Sequence, residues 1–196
     1  MFSKISVINF FDSLAPGWDA GQILHEEIIK TILDNTNIDE GVTVLDVACG
    51  TGVLVPWYLQ RKVASVVGVD ISPQMIRIGQ KNHKEPKVSL LNGDIEELSF
   101  DQQFDCVVVF NSFPHFPDPD RLIGRLVELL VPRGSLTVAH SMSRAEIDRR
   151  HSGSASKVSI GLMPAEELAG IFSNYLRVTV TIDSDEMYQV VGIKPA

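Results

Sequence analysis

Three carboxylates and one glycine-rich turn are the residues of this 196-residue chain best placed to do chemistry. In "VLDVACGTG", residues 44–52, an apolar run carries Asp46 and then ends in Gly50, Thr51 and Gly52. A carboxylate inside an apolar strand is costly unless something pairs with it. Asp46 is therefore expected to meet a cationic or hydrogen-bond-donating part of a ligand, directly or through water, or else to be satisfied by backbone amides. The glycines let the backbone approach a ligand closely and open the next helix, whose free N–H groups favour an anionic group. A tight turn with no ligand is the alternative. Asp70 closes "VVGVDIS", where a carboxylate can accept from both hydroxyls of a ribose, with Ile71 flanking the base. Asp94 lies in "NGDIEEL". There it can accept from an adenine amino group while Ile95 packs on the ring, or simply shape a turn.

The elements that must position these residues alternate. Residues 42–49, 63–70, 87–92, 104–111 and 134–141 are apolar on both faces, as strands of a parallel sheet covered on both sides are. Between them lie helical patterns, one opening at Ser72-Pro73, another at Asp118-Pro119 and stopping at Pro132 and Gly134. A further amphipathic helix is expected over 20–34. The chain ends differently, with a helix in "PAEELAGIFSN" and two strands, "YLRVTVTID" and "MYQVVGIKP". The expected fold is α/β, a Rossmann-like, doubly wound, mostly parallel seven-stranded sheet with a C-terminal antiparallel hairpin. In such a sheet ligands bind beyond the carboxyl ends of the strands, where all three carboxylates fall. Val55 stands where a dinucleotide fingerprint needs its third small residue.

Composition narrows the partners. The formal net charge is −8 and the only adjacent basic pairs are Arg61-Lys62 and Arg149-Arg150. That leaves no evident basic surface for a phosphate backbone, and no nucleic-acid partner is expected. No apolar run approaches the ~20 residues that span a bilayer, and the N-terminus lacks a signal-peptide pattern. We expect no membrane insertion and a cytoplasmic location. Cys49 and Cys106 read as buried thiols, with no C-x-x-C pattern.

Together the motifs resemble the class I S-adenosylmethionine (SAM)-dependent methyltransferases, from "VLDVACGTG" through "VVGVDIS", "LLNGDIEEL" and "FDCVVVFNSFPHF" to the hairpin. Within that superfamily the chain is most similar to the small-molecule group that includes the ubiquinone and menaquinone methyltransferases. Its opening "FFDSLAPGWDA" resembles their FD-x-x-A-x-x-(Y/W)-D element. The resemblance implies SAM as cofactor and S-adenosylhomocysteine (SAH) as product. It implies that Gly50 and Gly52 pass beneath the methionine part and that Asp46 contacts its ammonium. Asp70 then holds the ribose, Ile71 and Ile95 sandwich adenine, and Asp94 takes its amino group. Asn111 offers a backbone carbonyl to the ammonium, while Met75 and Trp18 close over the cofactor.

Methyl transfer asks mainly for proximity and orientation, plus a base where the acceptor is protonated. His115, His140 and His151 follow strands four and five and are the candidates. His115 is the base under one reading. Under a second, two or three of them bind a metal or a metal-bearing substrate, and under a third His140 is a core residue and His151 a surface one. His25 and His83 fall on surface helices. Asp118 is expected to cap a helix rather than hold a metal with Asp120. "NSFPH" departs from the (D/N/S)-P-P-(Y/F) signature of amino-methyltransferases of nucleic acid. The domain is expected to span 1–196, with a helical cap over 1–40 and a substrate lid over 142–163. The acceptor is expected to be a small molecule. The hairpin edge and the N-terminal helices offer surfaces for a homodimer. Two rivals share part of the pattern: a nicotinamide-dependent oxidoreductase, which leaves Asp94 and the hairpin unexplained, and a SAM-binding protein without catalysis.

Overall fold

The runs that are apolar on both faces form strands β1 (Thr43–Val47), β2 (Ser65–Asp70), β3 (Val88–Asn92), β4 (Phe104–Phe110) and β5 (Leu130–His140). The two C-terminal strands are β6 (Arg177–Asp183) and β7 (Tyr188–Ile193). In this computed structural model, which describes residues 2–22 and 24–196 without the side chains of His151 and Ser154, they make one seven-stranded sheet of order β3-β2-β1-β4-β5-β7-β6. β1 to β5 pair in parallel and β7 pairs antiparallel with both β5 and β6. The expected doubly wound sheet with its terminal hairpin is the observed one.

Helices α1 (Lys4–Leu14), α2 (Glu26–Asn35), α3 (Val55–Gln60), α4 (Pro73–Asn82), α5 (Pro119–Glu128), α6 (Arg144–His151) and α7 (Ala165–Phe172) cover the sheet. The sheet divides the core in two. Leu122, Leu126, Leu168 and Phe172 pack with Leu45, Val107 and Val138 on one side, and Ile29, Ile32, Leu33 and Tyr58 pack with Val44, Val66 and Val108 on the other. Side-chain caps stop α4 and α5 from fraying: Ser72 accepts from the Met75 amide and Asp118 from the Arg121 amide.

Two boundaries differ from expectation. The helix expected from residue 20 begins at Glu26, because Pro16, Gly17 and Gly21 break the chain into 3-10 turns at Ala15–Gly17 and Asp19–Gly21. β5 begins at Leu130, so Pro132 and Gly134 lie inside a strand instead of ending α5. A Cβ on Gly134 would stand 2.9 Å from the Asp105 carbonyl oxygen, which is why glycine suits the irregular crossing of β4 and β5 there. The segment 142–163 is not a plain loop, since it holds α6 and a 3-10 turn at Ser154–Val158.

Gly79 links this framework to the loop after β1. It sits in α4, where alanine ordinarily stabilises by about 1 kcal/mol. Here a Cβ would lie 2.9 Å from the Thr51 carbonyl oxygen and 2.7 Å from Leu90 Cδ1. Close packing reverses the usual sign, and Gly79→Ala is expected to lower Tm by several degrees in thermal unfolding, with loss of ligand affinity as the Thr51 turn shifts.

Candidate active site

The loop after β1 turns sharply. Ala48, Gly50 and Gly52 have φ of 54°, 56° and 84°, the left-handed region that favours glycine. What holds the turn is the carboxylate of the neighbouring strand. Asp70 accepts from the Gly50 amide with one oxygen and from the Ser72 amide with the other, each at 2.8 Å. One side chain thus fixes the loop after β1 and the entry to α4. Burial pushes its carboxyl up to about 6, against the pull of those two amides.

Beyond the carboxyl ends of β1, β2 and β4 opens a cavity. Trp18, Asp46, Gly50, Asp70, Ile71, Met75, Asp94, Ile95, Asn111 and His115 all line it. Ten of the fourteen residues singled out from the sequence therefore converge on one space. Asp46 is the most demanding of them electrostatically. It is 2% exposed and, among the described residues, no cation pairs with it. Burial raises its carboxyl to about 8; the Tyr58 hydroxyl opposes this from close by without a formed hydrogen bond, and the Asp70 charge adds to it.

Asn111 has a φ of 52°. Its side-chain amide donates to the Ser141 hydroxyl and its side-chain oxygen accepts from the Ser141 amide, and that clasp holds the unusual backbone conformation. Its side chain is committed to Ser141, the residue after β5, which agrees with a role for its carbonyl. The Trp18 ring nitrogen comes within 3.3 Å of where a Gly50 Cβ would stand, and it is buried with no hydrogen-bond partner among the described residues. Gly50 is therefore glycine for space as well as for φ.

Three of the candidates lie outside the cavity. Thr51 does not line the cavity; its hydroxyl donates to Asp19 at 2.5 Å. Gly52 does not line it either and packs against the His83 ring, which a Cβ would meet at 2.8 Å. His83 accordingly supports the turn instead of sitting idle on a surface helix. His140 is buried at the end of β5, edge-on to Tyr188 with ring centres 5.9 Å apart, away from the cavity. The side chain of His151 lies outside the described residues. His115 does face the cavity. Its Nδ1–H donates to the Val158 carbonyl at 2.7 Å and its ring meets Phe11 edge-on at 4.9 Å.

The sequence reading missed the N-terminal clasp. Asp12 accepts from the Ser72 hydroxyl at 2.5 Å and the Gln74 amide at 3.2 Å, and Asp19 accepts from Thr51 and from Asn82 at 3.0 Å. Both acids stand in "FFDSLAPGWDA", which was the available signal. Phe2, Lys4, Val7 and Phe11 bring α1 and the segment ahead of it to the cavity wall, and no described side chain of 142–163 lines it. The expected lid over 142–163 meets the site from behind, where the Val158 carbonyl accepts from His115 and the Ile160 amide donates to the Pro114 carbonyl at 2.9 Å.

Comparison with known proteins agrees with this geometry. Residues 44–134 match the methyltransferase domain family. A malonyl-[acyl-carrier protein] O-methyltransferase of Priestia megaterium is 31% identical over 140 residues, 69% of this chain and 51% of that protein. A ubiquinone biosynthesis O-methyltransferase of Coxiella burnetii is 35% identical over 136 residues, 64% of this chain and 57% of that protein. The chain spans about half the length of the curated relatives it matches. Among solved structures, the methyltransferase in complex with the Haloferax volcanii Trm112 methyltransferase activator shares the fold with a TM-score of 0.80 at 21% identity, over 95% of this chain and 98% of that one. The N-methyltransferase NodS of Bradyrhizobium japonicum, solved with SAH, follows at 0.66 and 18%, over 87% and 85%. Residues 44–134 thus carry a methyltransferase domain, and the chain is similar in sequence and fold to SAM-dependent methyltransferases.

The Asp46 carboxyl gives a pH test. Its folded value of about 8 stands above the ordinary 3.8. Between those values the folded chain keeps a proton that the unfolded chain has lost, so stability falls as pH rises through the window. Asp70, folded near 6, contributes only over the lower half. In urea unfolding of the ligand-free protein from about pH 6 to 8, Asp46→Asn is expected to flatten the decline, by up to about 1.4 kcal/mol per pH unit.

Proposed function

We propose that this protein transfers the methyl group of SAM to a hydroxyl of a small-molecule acceptor. One observation carries the reading. A buried acid without a cation, Asp46, shares a cavity with Asp70 and Asp94, each just inside or beyond the end of a different strand. Such a cavity suits a ligand that carries positive charge at one end and hydrogen-bond donors at the other.

The residues fit that cofactor. Asp46 lies where the ammonium and sulfonium charges gain most from a carboxylate. The two Asp70 oxygens, each already holding one amide, retain lone pairs for the ribose hydroxyls. Ile71 and Ile95 flank the space for adenine, with Asp94 at its edge. Met75 and Trp18 wall the methionine part, and the Trp18 ring N–H is a buried donor able to meet a ligand oxygen. Thr51 and Gly52 act one layer further out, by holding the turn.

SAM, when bound, supplies a methyl group already activated on sulfonium. The chain positions the acceptor oxygen and removes its proton. His115 suits that second task. Because its Nδ1–H is given to the Val158 carbonyl, the neutral ring carries its lone pair on Nε2. Nε2 would accept the hydroxyl proton of an acceptor held beside it, while SAM would supply the methyl group. Relatives named as O-methyltransferases support oxygen as the acceptor. Cys49 and Cys106, both free and buried, accord with a reducing, cytoplasmic setting.

Isothermal titration with SAM, SAH and NAD tests the cofactor, with micromolar binding of the first two and none of NAD expected. Binding of NAD alone would overturn the reading. Turnover is read as SAH release in a screen of small phenols. On an acceptor found there, His115→Gln is expected to lower kcat by about 10²–10⁴ while leaving the SAH Kd unchanged.

A further inference from the structure

The N-terminal end of α1 breaks a local rule. Lys4 stands in the first turn of that helix, where a cation opposes the helix dipole, and no acidic residue of that turn offsets it. The compensation comes from across the cavity. The Lys4 ammonium pairs with Asp94, with Glu97 at 3.0 Å and with Glu96 at 3.6 Å, and Glu96 is itself braced by Arg121 at 3.0 Å. Lys4, Asp94 and Glu96 all line the cavity.

Asp94 is also the carboxylate that the proposed function assigns to the adenine amino group. We propose that Lys4 is a latch competing with the adenine end of the cofactor for Asp94, so that α1 must release Asp94 before an adenosyl ligand is fully seated. The inference rests on the cofactor reading above.

Three further features support it. The cavity encloses about 140 Å³, below the ~300–1,000 Å³ usual for ligand sites, and the inward residues of α1 take up part of the difference. The first turns of α1, ahead of the Asp12 clasp, are lightly held, with Val7 the only buried residue of the helix and Ile5 68% exposed, as a segment that opens at modest cost must be. A displaced Lys4 also keeps partners, because Glu97 is 72% exposed and does not line the cavity. The latch can swing outward without stranding a charge.

The test is SAH binding by titration calorimetry on the whole chain. Lys4→Met removes the charge and is expected to tighten SAH binding about fivefold, the factor an exposed ion pair of ordinary strength is worth. Lys4→Arg should return the wild-type Kd. Raising KCl from about 50 to 500 mM screens the latch and should tighten binding to the wild type while leaving Lys4→Met unmoved, a response that a merely structural lysine does not produce. Binding no tighter in Lys4→Met than in wild type, or equal salt responses, overturns the latch and leaves the cofactor reading standing. Absence of SAH binding in both proteins overturns the cofactor reading itself.

Discussion

The buried Asp70 carboxylate, bonded to the amides of Gly50 and Ser72, is the interaction on which the site depends. Both amides belong to loops at the carboxyl edge of the sheet, one leaving β1 and one entering α4. Without a shared acceptor the two loops have no reason to stay in register, and Gly50 pays the entropic penalty of a left-handed conformation unaided. The arrangement is self-consistent. The amides hold a carboxylate that burial alone would neutralise, and the carboxylate holds the turn that brings Gly50 under Trp18. Under the proposed function, ligand recognition by Asp70 is inseparable from its structural role, and a variant there is expected to lose both.

A second layer of carboxylates fastens the N-terminal segment over that turn. Asp12 reaches the same α4 entry through Ser72, and Asp19 reaches Thr51 and Asn82. The Phe11, Trp18 and His115 rings then meet in a chain of edge-on contacts. The cavity thus has a rigid floor, made by strand ends, and a wall recruited from the first residues of the chain by a few polar contacts. Division of labour of this kind suits an enzyme that must open to exchange cofactor and close to exclude water.

Strand-end residues were legible because apolar runs set both their element and their end of the sheet. Asp46, Asp70 and Asp94 follow from that pattern, Asn111 from the family resemblance, and the hairpin from two further runs after the last helix. Legibility failed where side-chain direction decided the outcome. His140 ends β5 as Asn111 follows β4, yet it packs on Tyr188 instead of facing the cavity. Thr51 and Gly52 stand beside Gly50 in the chain but face Asp19 and His83. α1 was invisible as the cavity wall for another reason. Its apolar residues surround the helix with no single stripe, so periodicity does not say which face is covered. Contacts such as Lys4 to Asp94 join residues ninety positions apart, and no local pattern encodes them.

The charge of the cavity explains why its stability and its function pull in opposite directions. Asp46 and Asp70 both sit where burial disfavours their ionised forms, so the ligand-free fold is weakened as pH rises toward neutrality. A cationic ligand reverses the balance, because a neighbouring positive charge favours the carboxylate as strongly as burial opposes it. Under the proposed function, a cationic group beside Asp46 would draw the proton from a carboxyl that burial holds up to about 8. An apolar residue at this position would give a steadier sheet and no purchase on the cofactor charge. The destabilising acid at the end of β1 is best understood as the part of the fold that only its ligand completes.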